Sequence, residues 1–351
     1  MLQQYFSIKY KLIRFLAKIF MFGFQALTFQ KRDLESVVNV GKASISLLMK
    51  TPVKLLTRFK INESLAVKIY DLHFASPVTF AAYEAHLPLI TLFLNVGVGG
   101  GCIKTMMVNP QSGNARPRLQ QVTVDNQVSL INALGLPGKG INAMAKALKE
   151  SSILDYNRAI GLSIGGHHSD EYKAGLVQYE SHFSEKSNLY YEINISCPNT
   201  QEGQDLTRNP ELLNQLLTYC REHTSKVISV KLTPDLSNDE LLSLATIIAQ
   251  YDKMMINIGN TTRRQCEQVG LPKHAISIGA GGLSGPTLFD RTLEMVKLLK
   301  PLNVPLIATG GIDNSDKIKQ CLAAGASLVG MATALVMDPF RLIQFNRMLN
   351  R

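Results

Sequence analysis

The 351-residue chain has no tryptophan, and phenylalanine and tyrosine together make up 7% of it. Few side chains are left to stack on bases, which argues against a protein that grips single-stranded nucleic acid. Cysteine is sparse: Cys102, Cys197, Cys220, Cys266 and Cys321 are odd in number and never spaced as Cys-x-x-Cys. Neither a disulfide framework nor a zinc site is expected, and a reducing compartment is the simplest setting. The His167-His168 pair belongs to no recognisable ligand set, and no metal is expected. No Gly-x-Gly-x-x-Gly run opens a helix, so a dinucleotide-binding fold is not indicated. Acidic residues are nearly missing from the first 70 positions. Twelve lysines and arginines there face only Asp33, Glu35 and Glu63, so this stretch carries +9 of the total net charge of +10. The rest is close to neutral, which describes a basic extension on a neutral body rather than a nucleic-acid-binding surface.

The extension has a pattern of its own. Between Lys9 and Phe29, Lys11, Arg14, Lys18 and Gln25 recur at steps of three, four and seven, which makes one polar stripe on a helix. Leu12, Phe15, Leu16, Ile19, Phe20 and Phe22 cover the remaining surface. The spacing predicts an interfacial amphipathic helix with a cationic face, lying in a headgroup layer. Arg14 and Lys18 interrupt the apolar run, against a bilayer-spanning helix. A second basic, apolar segment runs from about Val40 to Phe59 and is bent or ended at Pro52. No small-residue cleavage site follows the apolar part, which argues against a secretory signal. A mitochondrial presequence, or ordinary helices packed on the body, are the other readings. Residues 1–68 are assigned to the extension and 69–351 to the body.

The body alternates short apolar runs with amphipathic helices. The predicted strands are Val78–Ala82, Cys102–Met107, Ile160–Ile164, Tyr190–Ile195, Val227–Leu232, Met254–Ile258, Leu306–Ala308 and Ser327–Met331. Eight strands with helices between them match an α/β fold of the (β/α)8 TIM barrel type. An open doubly wound sheet is the runner-up. Asn194, Lys231, Asn260, Thr309 and Thr333 fall at carboxyl ends of strands, where barrels build their sites, and favour the barrel. Glycine-rich turns at Gly279–Gly285 and Thr309–Ile312 could cradle a phosphate through exposed N–H groups.

The stretch Asn194-Ile195-Ser196-Cys197-Pro198-Asn199-Thr200 carries the sharpest chemistry. Two carboxamides can donate and accept hydrogen bonds, and a thiolate can abstract a proton. The set suits a planar, amide-rich substrate that loses one C–H proton. The plainer reading is a small buried cysteine in a turn.

Taken with Val230–Pro234, Asn260-Thr261-Thr262, Gly281–Gly285, Thr309–Ile312, Gly113–Leu119 and Asn132–Pro137, this stretch resembles the dihydroorotate dehydrogenase family over about residues 70–345. The resemblance implies an FMN-bearing barrel that oxidises dihydroorotate to orotate in pyrimidine biosynthesis. It implies Cys197 as the base for the C5 proton, with hydride transfer from C6 to the flavin. Lys104 would stand beside both substrate and flavin. Asn132, Asn194, Asn199, Asn260 and Thr261 would grip the pyrimidine, and Leu134, Gly135 and Leu136 would line the pocket for its carboxylate. Ala81, Ala82, Thr105, Ser163, Asn194, Lys231 and Gly259 would contact the flavin, and Gly282, Gly310, Gly311, Ala332 and Thr333 its phosphate. Cys197, Lys104 and Asn132–Pro137 resemble the soluble class, whose electrons go to fumarate or NAD. The extension resembles the quinone-reducing class, and quinone is the expected acceptor. The expected location is peripheral, through residues 1–65, on the cytoplasmic face of a membrane; cytosol and the mitochondrial inner membrane are the alternatives. The oligomeric state is left open, a homodimer among the options. Tyr83 stands where the family sets a glycine against the flavin, which would crowd or reshape that edge. A flavin barrel acting on another dihydropyrimidine, or on uridines in RNA, and a non-catalytic homologue are the competing readings.

Overall fold

The computed structural model describes residues 2–196 and 203–350. Eight parallel strands close into a barrel in chain order: Val78–Phe80, Gly101–Met106, Ile160–Ile164, Leu189–Asn194, Ile228–Leu232, Met254–Ile258, Leu306–Thr309 and Leu328–Met331. They are called strands one to eight below. These are the expected strands, with ends moved by one or two residues. Strands three, four, five and six are buried at every position. Parallel strands covered by helices on one face and packed side chains on the other need apolar residues on both, which is why they read as continuous Val, Ile and Leu runs.

Helices follow most strands and carry their start signals in the sequence. Ser237 and Glu240 form a reciprocal capping box at Asn238–Ile248. Asn209 accepts from Leu212 N–H ahead of Pro210–His223, and Asn314 caps Ser315–Ala324. The helix after Gly285 begins as a 3-10 turn at Pro286–Leu288 before Phe289–Leu299.

One element lies outside the alternation read from the sequence. Leu119–Val124, Gln127–Asn132, Ala280–Ser284 and Thr262–Gln265 form an antiparallel sheet at the carboxyl end of the barrel. Asp125 and Asn126 both take positive φ in the tight turn that joins the first two of these strands. The stretch Gly279–Gly285, read as a glycine-rich turn, is largely a strand of this sheet.

The extension folds as two helices, Leu2–Leu27 and Glu35–Lys50, followed by a 3-10 turn at Pro52–Thr57. Both pack on the barrel. Arg118 makes a bidentate pair with Glu35, 2.8 Å for each bond, and Arg116 Nε reaches Asp33 at 2.6 Å. Lys11 lies 3.1 Å from the buried Asp338, Tyr10 donates to Val336 O, and Phe6 stacks on Phe340. Gln25 is buried and bonds Asp33 in both directions. Arg14 donates to Gln121. Much of the polar stripe therefore turns toward the barrel rim, which supplies its acceptors. Ile8, Leu12, Phe15, Leu16, Ile19 and Phe20 face outward and are more than half exposed. Among the described residues no helix is long and apolar enough to cross a membrane.

Gly259, just after strand six, has φ of +122°, and a Cβ there would fall 1.5 Å from Thr309 O. Gly259→Ala is expected to lower the unfolding free energy by more than about 2 kcal/mol in a denaturant melt. A variant as stable as the wild type would mean that strands six and seven do not approach this closely.

Candidate active site at the barrel mouth

A cavity of about 1520 Å³ opens at the carboxyl ends of the strands and continues beneath both helices of the extension. A single small ligand typically occupies about 300–1,000 Å³, so this space can hold more than one. Of the residues singled out from the sequence, Ala81, Ala82, Lys104, Thr105, Asn132, Leu134, Gly135, Leu136, Asn194, Lys231, Asn260, Thr261, Gly310, Gly311, Ala332 and Thr333 all border it. Ser163, Gly259 and Gly282 stand behind its wall. Gly282 pairs with Asn132 in the antiparallel sheet, and a Cβ on it would lie 2.0 Å from Thr261 Oγ1. Its lack of a side chain lets Asn132 and Thr261 approach each other. Ser284 and Gly285, two and three residues on, border the cavity instead. Cys197 and Asn199 lie outside the described residues, directly after Asn194-Ile195-Ser196 at the end of strand four.

A one-way chain of hydrogen bonds supports the floor. Asn194 Nδ2 donates to Thr105 Oγ1 at 2.8 Å, Thr105 pairs with Ser163 at 2.9 Å, and Ser163 Oγ donates to Glu192 Oε1 at 3.0 Å. Since the Ser163 proton is used on Glu192, Thr105 is the donor to Ser163. Asn257 Nδ2 donates to the other Glu192 oxygen at 2.7 Å. Glu192 is fully buried inside the barrel. Sequence reading missed it, because a single carboxylate within an apolar strand looks like a solvent-facing residue until the barrel closes around it. Asn260 Nδ2 donates to both Ser196 O and Ser196 Oγ, and Ser196 Oγ donates to Asn194 Oδ1. The two carboxamides are thus oriented before any ligand arrives.

The loop after Asn132 is held from behind. Gln111 Nε2 donates to Gly135 O and Leu136 O at 3.0 Å, and Asn114 Nδ2 donates to Ala133 O. Gly135 and Leu136 both take positive φ. Leucine resists that backbone, so the loop is over-determined by its anchors. Gln111 and Asn114 carried no signal of this role in the sequence.

Lys104 lies within this frame. Its Nζ donates to Pro137 O at 2.5 Å. Burial pushes its ammonium down to about 8, repulsion from Lys42 adds to this, and Glu84 opposes it. Lys231 is buried at the end of strand five and, among the described residues, has no hydrogen-bond or ion-pair partner. Thr309 Oγ1, at the end of strand seven, is also buried without a partner. An unpaired ammonium and an unpaired hydroxyl at the mouth of a barrel fit an electron-rich, phosphate-bearing cofactor. Cys102, Cys220 and Cys321 are buried, and burial pushes each thiol up. Near neutral pH they stay protonated and are not available as bases. Tyr83 is part of the cavity wall beside Phe93; its hydroxyl is buried with no partner, and burial raises it well above an ordinary phenol.

The fold and this site define a (β/α)8-barrel protein with its ligand cavity at the carboxyl ends of the strands, capped by two helices. Residues 64–350 match the sequence profile of dihydroorotate dehydrogenase, and the chain belongs to that family. Relatives named dihydroorotate dehydrogenase (quinone) include one from Brucella anthropi, 31% identical over 292 residues that cover 78% of this chain and 77% of that one. Another, from Aliivibrio fischeri, is 29% identical and covers 87% of this chain and 93% of that one. The fold is also that of DHODH from Eimeria tenella, crystallised with ferulenol, with a TM-score of 0.73 and 22% identity over 89% of this chain and 91% of that one.

The depressed Lys104 has a stability consequence. Its folded value lies below its free one, so the native state is penalised at neutral pH, and the penalty fades as pH rises from about 8 toward about 10.4. Lys104→Met keeps most of the stem and removes the charge. It is expected to melt higher than the wild type at pH 7, with the difference closing near pH 10. A lower melting temperature at pH 7 would show that the ammonium is well solvated in place.

Proposed function

We propose that the chain oxidises dihydroorotate to orotate with FMN as cofactor and passes the electrons to a quinone. The observation that carries this reading is the convergence of Lys104, Asn132, Asn194, Lys231 and Asn260, from five separate parts of a family member, on one cavity. The carboxamides of Asn132, Asn194 and Asn260 suit the alternating N–H and C=O edge of the pyrimidine ring. The 134–136 loop, with Lys104 beside it, suits the carboxylate. Cys197 follows Asn194 closely enough to be the base that takes the C5 proton. A free thiol is mostly protonated at neutral pH, so turnover should rise with pH. Lys231 would face the electron-rich cofactor, and Gly285, Gly310, Gly311 and the Thr309 hydroxyl would hold its phosphate. FMN would supply the acceptor for the C6 hydride. Asn194 and Thr105, fixed through Ser163 and Glu192, keep the substrate edge in register.

The acceptor side rests on the extension. The cavity runs beneath its helices, which suits a second, apolar reactant entering from that side. The outward face of the first helix is exposed and apolar, and Leu47, Leu55 and Leu56 of the second segment are exposed as well; exposed apolar surface of that kind marks a membrane or partner surface. On this reading residues 1–65 seat the protein peripherally, with the apolar face rather than the cationic stripe in the lipid.

Anaerobic mixing with dihydroorotate should bleach the flavin absorbance of the purified protein, and Cys197→Ala should slow this by at least about 100-fold. A yellow protein that does not bleach would mean another substrate. Replacing Leu16 and Phe20 together by serine should release the protein from vesicles and slow quinone reduction while leaving the bleaching rate unchanged. Full quinone activity in that variant would remove the membrane role of the helix.

A further inference from the structure

We propose that Lys42, on the second helix of the extension, is a positioning residue for Lys104, acting through the buried carboxylate of Glu84. The inference rests on the dihydroorotate reading above and extends the reach of the extension to the substrate side of the site.

Glu84 follows strand one, and its side chain is 7% exposed. One of its oxygens accepts from the N–H groups of Ala85 and His86, each at 2.9 Å, and pairs with Lys42 Nζ at 2.8 Å. Among the described residues Lys42 is its ion-pair partner. The Glu84 backbone carbonyl accepts the Lys104 N–H at 2.9 Å. This short loop is therefore tied to the active-site lysine by its main chain and to the extension by its side chain. A second tie lies one helical turn along, where Ser46 Oγ meets His86 Nε2 at 3.0 Å. Positions 42 and 46 share one face of the helix, so the helix clamps the loop at two points. Lys104 then reaches across to Pro137 O, at the end of the 134–136 loop.

Removing one partner of a buried ion pair leaves the other charge uncompensated. Without Lys42, the Glu84 carboxylate would keep Lys104 as a cation within electrostatic reach. It would draw that ammonium away from Pro137 and favour its protonated form. Without Glu84, the repulsion of Lys42 would act on Lys104 unopposed. The charged groups that bear on Lys104 are Lys42, Glu84, Arg118 and Glu35. The last two are paired with each other and bear on Lys104 less than Lys42 and Glu84 do.

The test is orotate binding to the full-length, flavin-loaded protein, read from the flavin spectrum between about pH 6 and about pH 9. Affinity should fall on the alkaline side as Lys104 loses its proton. In Lys42→Met that limb should move up, and in Glu84→Gln it should move down, each by on the order of one pH unit. Lys42→Arg, and the double variant Lys42→Met with Glu84→Gln, should lie close to the wild type. Coincident profiles for the two single variants, or shifts in the same direction, would overturn the proposal even if orotate binds well. A flavin-loaded wild type that does not bind orotate would instead overturn the functional reading on which the proposal stands.

Discussion

Closure of the eight-stranded barrel is the constraint on which everything else depends. Once the strands are parallel and covered on both sides, a charge buried along their length is costly unless it is hydrogen-bonded. Glu192 is tolerated inside only because Ser163 and Asn257 donate to it. The polar side chains that border the cavity collect where the strands end. Lys104, Asn194 and Lys231 belong to three different strands yet border one cavity, and closure of the barrel is what gathers them. The mouth becomes the one region where a desolvated ammonium, oriented carboxamides and glycine-lined turns can coexist.

The extension completes the mouth from above, and its chemistry is set by what the rim offers. Asp338, Gln121, Arg116, Arg118 and Glu84 provide partners of both signs, and the extension answers with Lys11, Arg14, Asp33, Glu35 and Lys42. Most of these pairs set a largely buried carboxylate against a more exposed cation, an arrangement that costs more to break than it adds in net stability. Their value is geometric, because they fix which face of each helix meets the barrel. The apolar residues are then left outward by default. A helix whose polar stripe is spent on its own protein presents hydrocarbon to its surroundings, the arrangement that suits a lipid-facing cap.

The sequence revealed the barrel almost strand by strand, because fully buried Val and Ile runs at regular spacing leave little choice. It revealed many of the polar residues at the barrel mouth for a related reason: polar residues at strand ends are conspicuous against those runs. The antiparallel sheet was not legible. Its strands are half polar, and the pairing that joins its two hairpins spans about 150 residues, so no local period announces the partnership of Gly282 with Asn132. The orientation of the first helix was not legible either. A periodic stripe defines two faces, and only the rim of the barrel decides which one turns inward. Glu192 and Gln111 were missed because each acts by holding another residue, and Asn114, though inside the Gly113–Leu119 stretch, gave no sign of the carbonyl it holds.

Glu84 brings these threads together. Its neighbour Tyr83 is the position at which this chain departs from the pattern it resembles, and the tyrosine ring packs beside Phe93 under the extension. The loop that carries both residues cannot be solvated as an open barrel rim would be, because the two helices cover it. A carboxylate sealed there needs a cation, and the extension supplies Lys42. The loop also bonds Lys104 through its backbone, so the cation that makes the cover stable lies within electrostatic reach of the reacting end of the site. Cover and site are therefore one electrostatic unit. A change on the outer helices that moves Lys42 alters the charge felt at the barrel mouth without touching a residue that borders the pyrimidine.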